Sequence, residues 1–156
     1  MDSKIVNQFI KALTSIFAQV TNVSLTKTDL EYFPDGHKVS AKIAAILSIA
    51  GAFKGQFMLI LNEPMALQLT SVVMAGVPVN NSSDLVDSAV RELCNMVAGE
   101  ASKRLLEIGF NCDITFPSIA RGKQIDTASP SFVSKFECEW GELQQILKFE
   151  HVSQIK

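Results

Sequence analysis

The chain has 156 residues, of which 47% are apolar and 19% charged, and a formal net charge of −2. That length suits one domain with an ample core, and the composition excludes a disordered or collagen-like chain. Lys and Arg total 14 and are scattered rather than clustered, so the sequence offers no basic face for gripping nucleic acid.

The N-terminus, MDSKIVNQFIKALTSIF, lacks a cationic region followed by an unbroken apolar core, so no export signal is expected. Ile5, Val6, Phe9, Ile10, Leu13, Ile16, Phe17 and Val20 recur at helical spacing, with Lys4, Asn7, Gln8, Lys11 and Thr14 opposite. This predicts an amphipathic helix from Ile5 to Val20. A polar segment of Thr, Asn and Asp residues follows and ends in the turn signal Pro34-Asp35-Gly36. Two apolar runs, Val39 to Ala50 and Phe53 to Leu61, predict an antiparallel hairpin. The most apolar passage, IAAILSIAGAF, is bounded by Lys42 and Lys54 and falls short of the roughly 20 residues a membrane helix needs.

Asn62 is placed to cap a helix from Glu63 to Ala75, with Pro64 in its first turn and Gly76 and Pro78 closing it. Ser82, Ser83 and Asp84 offer caps for a longer helix through Leu85, Ala89, Leu93, Val97 and Leu105, stopping at Gly109. Beyond it, Asp113 to Thr115 and the stretch after Pro117 read as extended, and Arg121-Gly122-Lys123 as a loop. Phe132 to Trp140 alternates as a strand, and Leu143 to Val152 reads as a final one. The fold class is therefore α/β of the α+β type, a single domain with helices packed on a mostly antiparallel sheet. Cys94, Cys112 and Cys138 are odd in number and lack CxxC spacing, and His37 and His151 stand apart from other ligand types. This reads as a reduced, cytoplasmic chain with no metal site of its own.

The long helix carries one unusual line. A residue advances about 100° on a helix, so Ser88, Glu92, Asn95 and Gly99 fall within roughly 60° of one another. Ser102 extends the line. Val86, Ala89, Val90, Leu93, Met96 and Val97 lie opposite, on the face expected to meet the sheet. A solvated face alone would explain a Ser, a Glu and an Asn. However, Asn is a mediocre mid-helix residue and Gly costs about 1 kcal/mol relative to Ala. A bare Gly99 lets another backbone approach, while Glu92 and Asn95 project as a two-pronged probe.

Ser88, Glu92 and Asn95, with Pro117 following Asn95 after twenty-one residues, resemble the signature of the CheC/CheX/FliY phosphatases of bacterial chemotaxis. SIAGAFKGQFMLIL, VVMAG and CDITFPSIARGK extend the resemblance along the chain. The first helix, DSKIVNQFIKAL, has no Glu three residues ahead of an Asn, so the resemblance is to the CheX type, with one Glu-x-x-Asn pair. It implies a hydrolase acting on the aspartyl phosphate of a response-regulator receiver domain, CheY-like, in two-component signalling. Asn95 would orient the attacking water, Glu92 would engage the receiver's lysine, and Ser88, Gly99 and Pro117 would shape the docking surface. It further implies a homodimer without a cofactor of its own, the Mg2+ residing in the receiver. The alternative is a non-catalytic receiver-binding adaptor or flagellar-switch-like domain. Arg121 and Lys123 could attract a receiver or be merely solvated, and Cys94 is expected to pack inward.

Overall fold

The described residues of the computed structural model are 2–74, 83–126 and 129–150, and they form three helices and seven strands. Helix α1 (Asp2–Thr21) buries Ile5, Val6, Phe9, Ala12, Leu13, Ile16 and Phe17, the predicted apolar stripe. It ends at Asn22, where φ is +62° and the backbone N–H donates to the Ala18 carbonyl at 2.8 Å, a left-handed cap that Asn tolerates.

Strands β1 (Thr26–Phe33), β2 (Lys38–Gly51) and β3 (Gly55–Leu61) precede α2 (Glu63–Val73) and α3 (Ser83–Glu107); β4 (Cys112–Ile114), β5 (Ser118–Asp126), β6 (Ser131–Cys138) and β7 (Gly141–Phe149) follow. The sheet runs β1-β6-β7-β3-β2-β4, with β5 also on β2, and every pairing is antiparallel. The expected hairpin is β2 with β3, in register from Ile43↔Leu61 to Ile49↔Gly55. Asn62 caps α2 by accepting the Met65 N–H at 3.1 Å. The predicted helix end at Ala75 with Gly76 and Pro78, the cap at Ser82 and the strand end at Val152 lie outside the described residues.

Two expectations are corrected. The polar segment before Pro34 contains β1, which pairs with β6 at the sheet's edge and leaves most of its side chains in solvent. An edge strand needs little apolar alternation, and Lys27, Asp29 and Glu31 guard it against further pairing. Arg121-Gly122-Lys123 is not a loop but the middle of β5, held against β2 by Ile43↔Arg121 and Ala41↔Lys123. Gly122, at φ +60°, supplies the turn-like signal without ending the strand.

The helices cover one face of the sheet. Phe9 meets Phe57 of β3 with ring centroids 5.0 Å apart, and Phe17 meets Trp140 of the β6–β7 turn at 6.0 Å. On the other face Met58, Ile60, Val133 and Ile146 are buried with Ala41 and Ala44, and among the described residues no helix contributes to that cluster. The chain path explains it. Only residues 34–37 connect β1 to β2, which lie four places apart in the sheet, about 19 Å if it were flat. Gly36 turns back to the Phe33 carbonyl and His37 stacks on Phe33 at 4.1 Å, so the sheet curls and shelters its own second face.

Gly55 pairs with Phe149, and a Cβ there would run into the Lys148 carbonyl oxygen. Gly55→Ala should cost roughly 1–3 kcal/mol, read as a fall of several degrees in the calorimetric midpoint; an unchanged midpoint would mean these strand ends separate freely. Burial pushes the Cys94 thiol up from 9.0 to about 12. Between those pH values the unfolded chain releases this proton and the folded chain keeps it, so stability should fall as pH rises through the window. Urea unfolding at rising pH should show a shallower decline for Cys94→Ala, and identical slopes would remove Cys94 from the account.

Candidate functional site

Helix α3 owes its orientation to its buried stripe. Val86, Ala89, Val90, Leu93, Cys94, Val97, Ala98, Ala101 and Leu105 are each 5% exposed or less. The stripe meets α1 and α2 more than the sheet, a correction to the expected sheet contact that follows from α3 lying across both helices. Its end is fixed by paired bonds from Phe110 N–H to the Leu105 carbonyl (2.8 Å) and from Gly109 N–H to the Leu106 carbonyl (3.1 Å). Gly109 adopts φ +97° between them, which completes a Schellman cap. Near the other end, Arg121 of β5 donates to Asp87 Oδ1 at 2.7 Å and ties α3 to the edge strand.

With one face so held, the opposite face is obliged to point outward. Ser88, Glu92 and Gly99 are exposed and Asn95 is half-buried, in the predicted line. Ser102 departs from it: its Oγ is buried and accepts or donates no hydrogen bond among the described residues. Among the described residues, neither Glu92 nor Asn95 has a side-chain hydrogen bond or ion pair, whereas Glu100 on the same helix is held by Arg104 at 2.9 Å. A Cβ on Gly99 would meet nothing within 4 Å. Among the described residues no contact therefore calls for glycine there.

Pro117 is buried, so any part it takes in docking is indirect. It sits between β4 and β5, next to Phe116, whose ring lies under the Arg91 guanidinium at 6.0 Å. Sequence reasoning did not single out Arg91 or Phe116. The available signal was a large apolar residue immediately before the signature proline.

The shape of the site constrains its chemistry. Small-molecule sites are concave, and a cleft of about 120 Å³ does lie between α2, α3 and β2, lined by Lys42, Glu63, Leu67, Val86 and Arg121 among others. Neither Glu92 nor Asn95 lines it. The pair stands on the outward face of α3, apart from that cleft. Among the described residues no helix is long and apolar enough to cross a membrane.

Comparison with known proteins gives the family. The family model described as chemotaxis phosphatase CheX matches residues 43–139. A protein of Thermotoga maritima named CheY-P phosphatase CheX is 27% identical over 135 residues, which cover 86% of each chain. The crystal structure of a chemotaxis protein CheX from Desulfovibrio desulfuricans superposes with a TM-score of 0.84 at 19% identity, covering 94% of this chain and 99% of that one. A CheX-CheY-BeF3-Mg+2 complex from Borrelia burgdorferi gives 0.74 at 18% identity, covering 94% and 97%. The family match spans the outward line on α3 and Pro117, and the chain belongs to the CheX family of chemotaxis phosphatases.

Proposed function

We propose that this chain hydrolyses the aspartyl phosphate of a CheY-like receiver domain, with Asn95 and Glu92 entering the receiver's active site. The observation that carries the reading is the outward Glu92/Asn95 pair, unpartnered among the described residues and one turn apart on a helix, beside a glycine that no contact among those residues requires. The T. maritima relative is named for dephosphorylating CheY-P, and the B. burgdorferi relative was solved with CheY.

The chemistry asks little of the phosphatase. A water oxygen attacks phosphorus in line, the bond to the receiver's aspartate oxygen breaks, and carboxylate and inorganic phosphate leave. The acyl phosphate already has a good leaving group, so positioning the water supplies much of the acceleration. A carboxamide such as that of Asn95 can both accept from and donate to that water without bringing negative charge against the phosphoryl oxygens. Glu92 pairs with the receiver's lysine and fixes the depth and register of entry. Ser88 lines the same face as a docking group. In this reading Mg2+ belongs to the receiver and this chain carries no cofactor of its own. The reaction takes place in the cytoplasm, and the working form is a homodimer, for which the outer edge of β5, unpaired among the described residues, offers a surface.

Asn95→Ala should lower the rate of receiver dephosphorylation by about 10²-fold or more while the folding midpoint stays in place. The decay of a phosphorylated receiver from the same genome measures it, and binding without accelerated decay by the unaltered chain would mark an adaptor instead. Gly99→Ala should stabilise the helix by up to about 1 kcal/mol while weakening receiver binding, and a gain in both would show that no backbone approaches there. Light scattering at micromolar concentration should give twice the 17.0 kDa of one chain; a monomer would end the dimer assignment.

A further inference from the structure

Strands β4 and β5 lie end to end along one edge of β2. Ile49 pairs with Ile114, and Ile46 pairs with Ser118. Between those pairs β2 has two residues, Leu47 and Ser48, while the outer chain has three, Thr115, Phe116 and Pro117. The extra residue makes this a β-bulge, a device that re-aims a side chain.

The bulge is firmly held on both sides. Ser48 N–H donates to Thr115 Oγ1 at 2.9 Å, and Thr115 N–H donates to the Ser48 carbonyl at 3.0 Å. On the far side Pro117 is buried, with its φ fixed by the ring and no N–H to satisfy. Phe116, between these anchors, is 73% exposed. Its solvent-facing ring has one neighbour given by the structure, the Arg91 guanidinium of α3, 6.0 Å from the centroid, at the residue just before Glu92. Isolated exposed apolar residues are ordinary on protein surfaces. An aromatic ring that a pinned bulge turns onto the helix of the Glu92/Asn95 pair is a different case, since the Arg91 it meets immediately precedes Glu92 and lies one turn before Asn95.

We infer that Phe116, seated on Arg91, is a docking residue that sets affinity for the phosphorylated receiver, and that Pro117 acts through it by holding the bulge. The inference rests on the receiver-phosphatase reading of the Glu92/Asn95 face. It gives the signature proline a physical task it could not perform by contact, being buried. Aromatic and Arg anchors are the residue types that dominate interface energetics when a partner covers them.

The test uses the full chain and a CheY-type receiver of the same genome, phosphorylated with acetyl phosphate and Mg2+. KM and kcat come from phosphate release, and Kd from titration of a labelled receiver. Phe116→Ala should raise KM and Kd about tenfold and change kcat far less, with Phe116→Leu intermediate and the folding midpoints of both unmoved. Asn95→Ala should do the reverse, losing kcat with Kd retained. Unchanged KM and Kd in Phe116→Ala, beside an active parent, would overturn the docking role and leave the phosphatase reading standing. A parent that binds without turnover, but more weakly as Phe116→Ala, would support the docking role and sink the catalytic one. A lowered folding midpoint in both Phe116 variants would make the ring structural and overturn the inference, and failure to bind any receiver would overturn both readings.

Discussion

Strand β2 is the member on which the other parts depend. Over Lys38–Gly51 it pairs with β3 along one edge and with β5 and β4 along the other. Its inward side chains Ile43, Ala45, Leu47 and Ile49 enter the helix-side core, while Ala41 and Ala44 enter the cluster on the opposite face. Its Ser48 holds both hydrogen bonds that anchor Thr115, and its partner strand β5 carries the Arg121 that reaches Asp87. The relation between the bulge and α3, and so between Phe116 and Glu92, is set through this one strand.

The second determinant is rotational. A helix shows the outside whatever its inside does not take, and the inside of α3 is taken by an apolar stripe against α1 and α2. Turning α3 by one residue position, about 100°, would carry Glu92 inward and bring Ala98 and Leu105 out in one sense, or carry Asn95 inward and bring Leu93 out in the other. The packing that stabilises the domain thus also keeps the Glu92/Asn95 pair facing outward, with no separate structure devoted to the site.

Much of this was legible in the sequence wherever a period was strong. The stripe of α1, the β2–β3 hairpin, the Asn62 cap and the outward line on α3 follow from apolar spacing and capping chemistry, and the structure bears out each except for Ser102, whose Oγ is buried. Strand β1 was hidden because an edge strand with solvent on most of its residues carries no burial pattern. Gly122 disguised the middle of β5, because a backbone with positive φ inside a strand has the same composition as one in a turn. The bulge at Phe116 was illegible for a different reason: it is a mismatch of counts between two strands 67 residues apart at Ser48 and Thr115, and no local window contains both.

The short link between β1 and β2 sets an order of events for the growing chain. β1 is made early, yet it never pairs with β2, its neighbour in sequence; its hydrogen-bonding partner β6 starts at Ser131. For the interval in which about a hundred further residues are synthesised, β1 remains an open template, and such non-local closure is slow. Its Lys27, Asp29 and Glu31 are of little use to the finished core. During that wait they are what keeps one unfinished chain from adding itself to another.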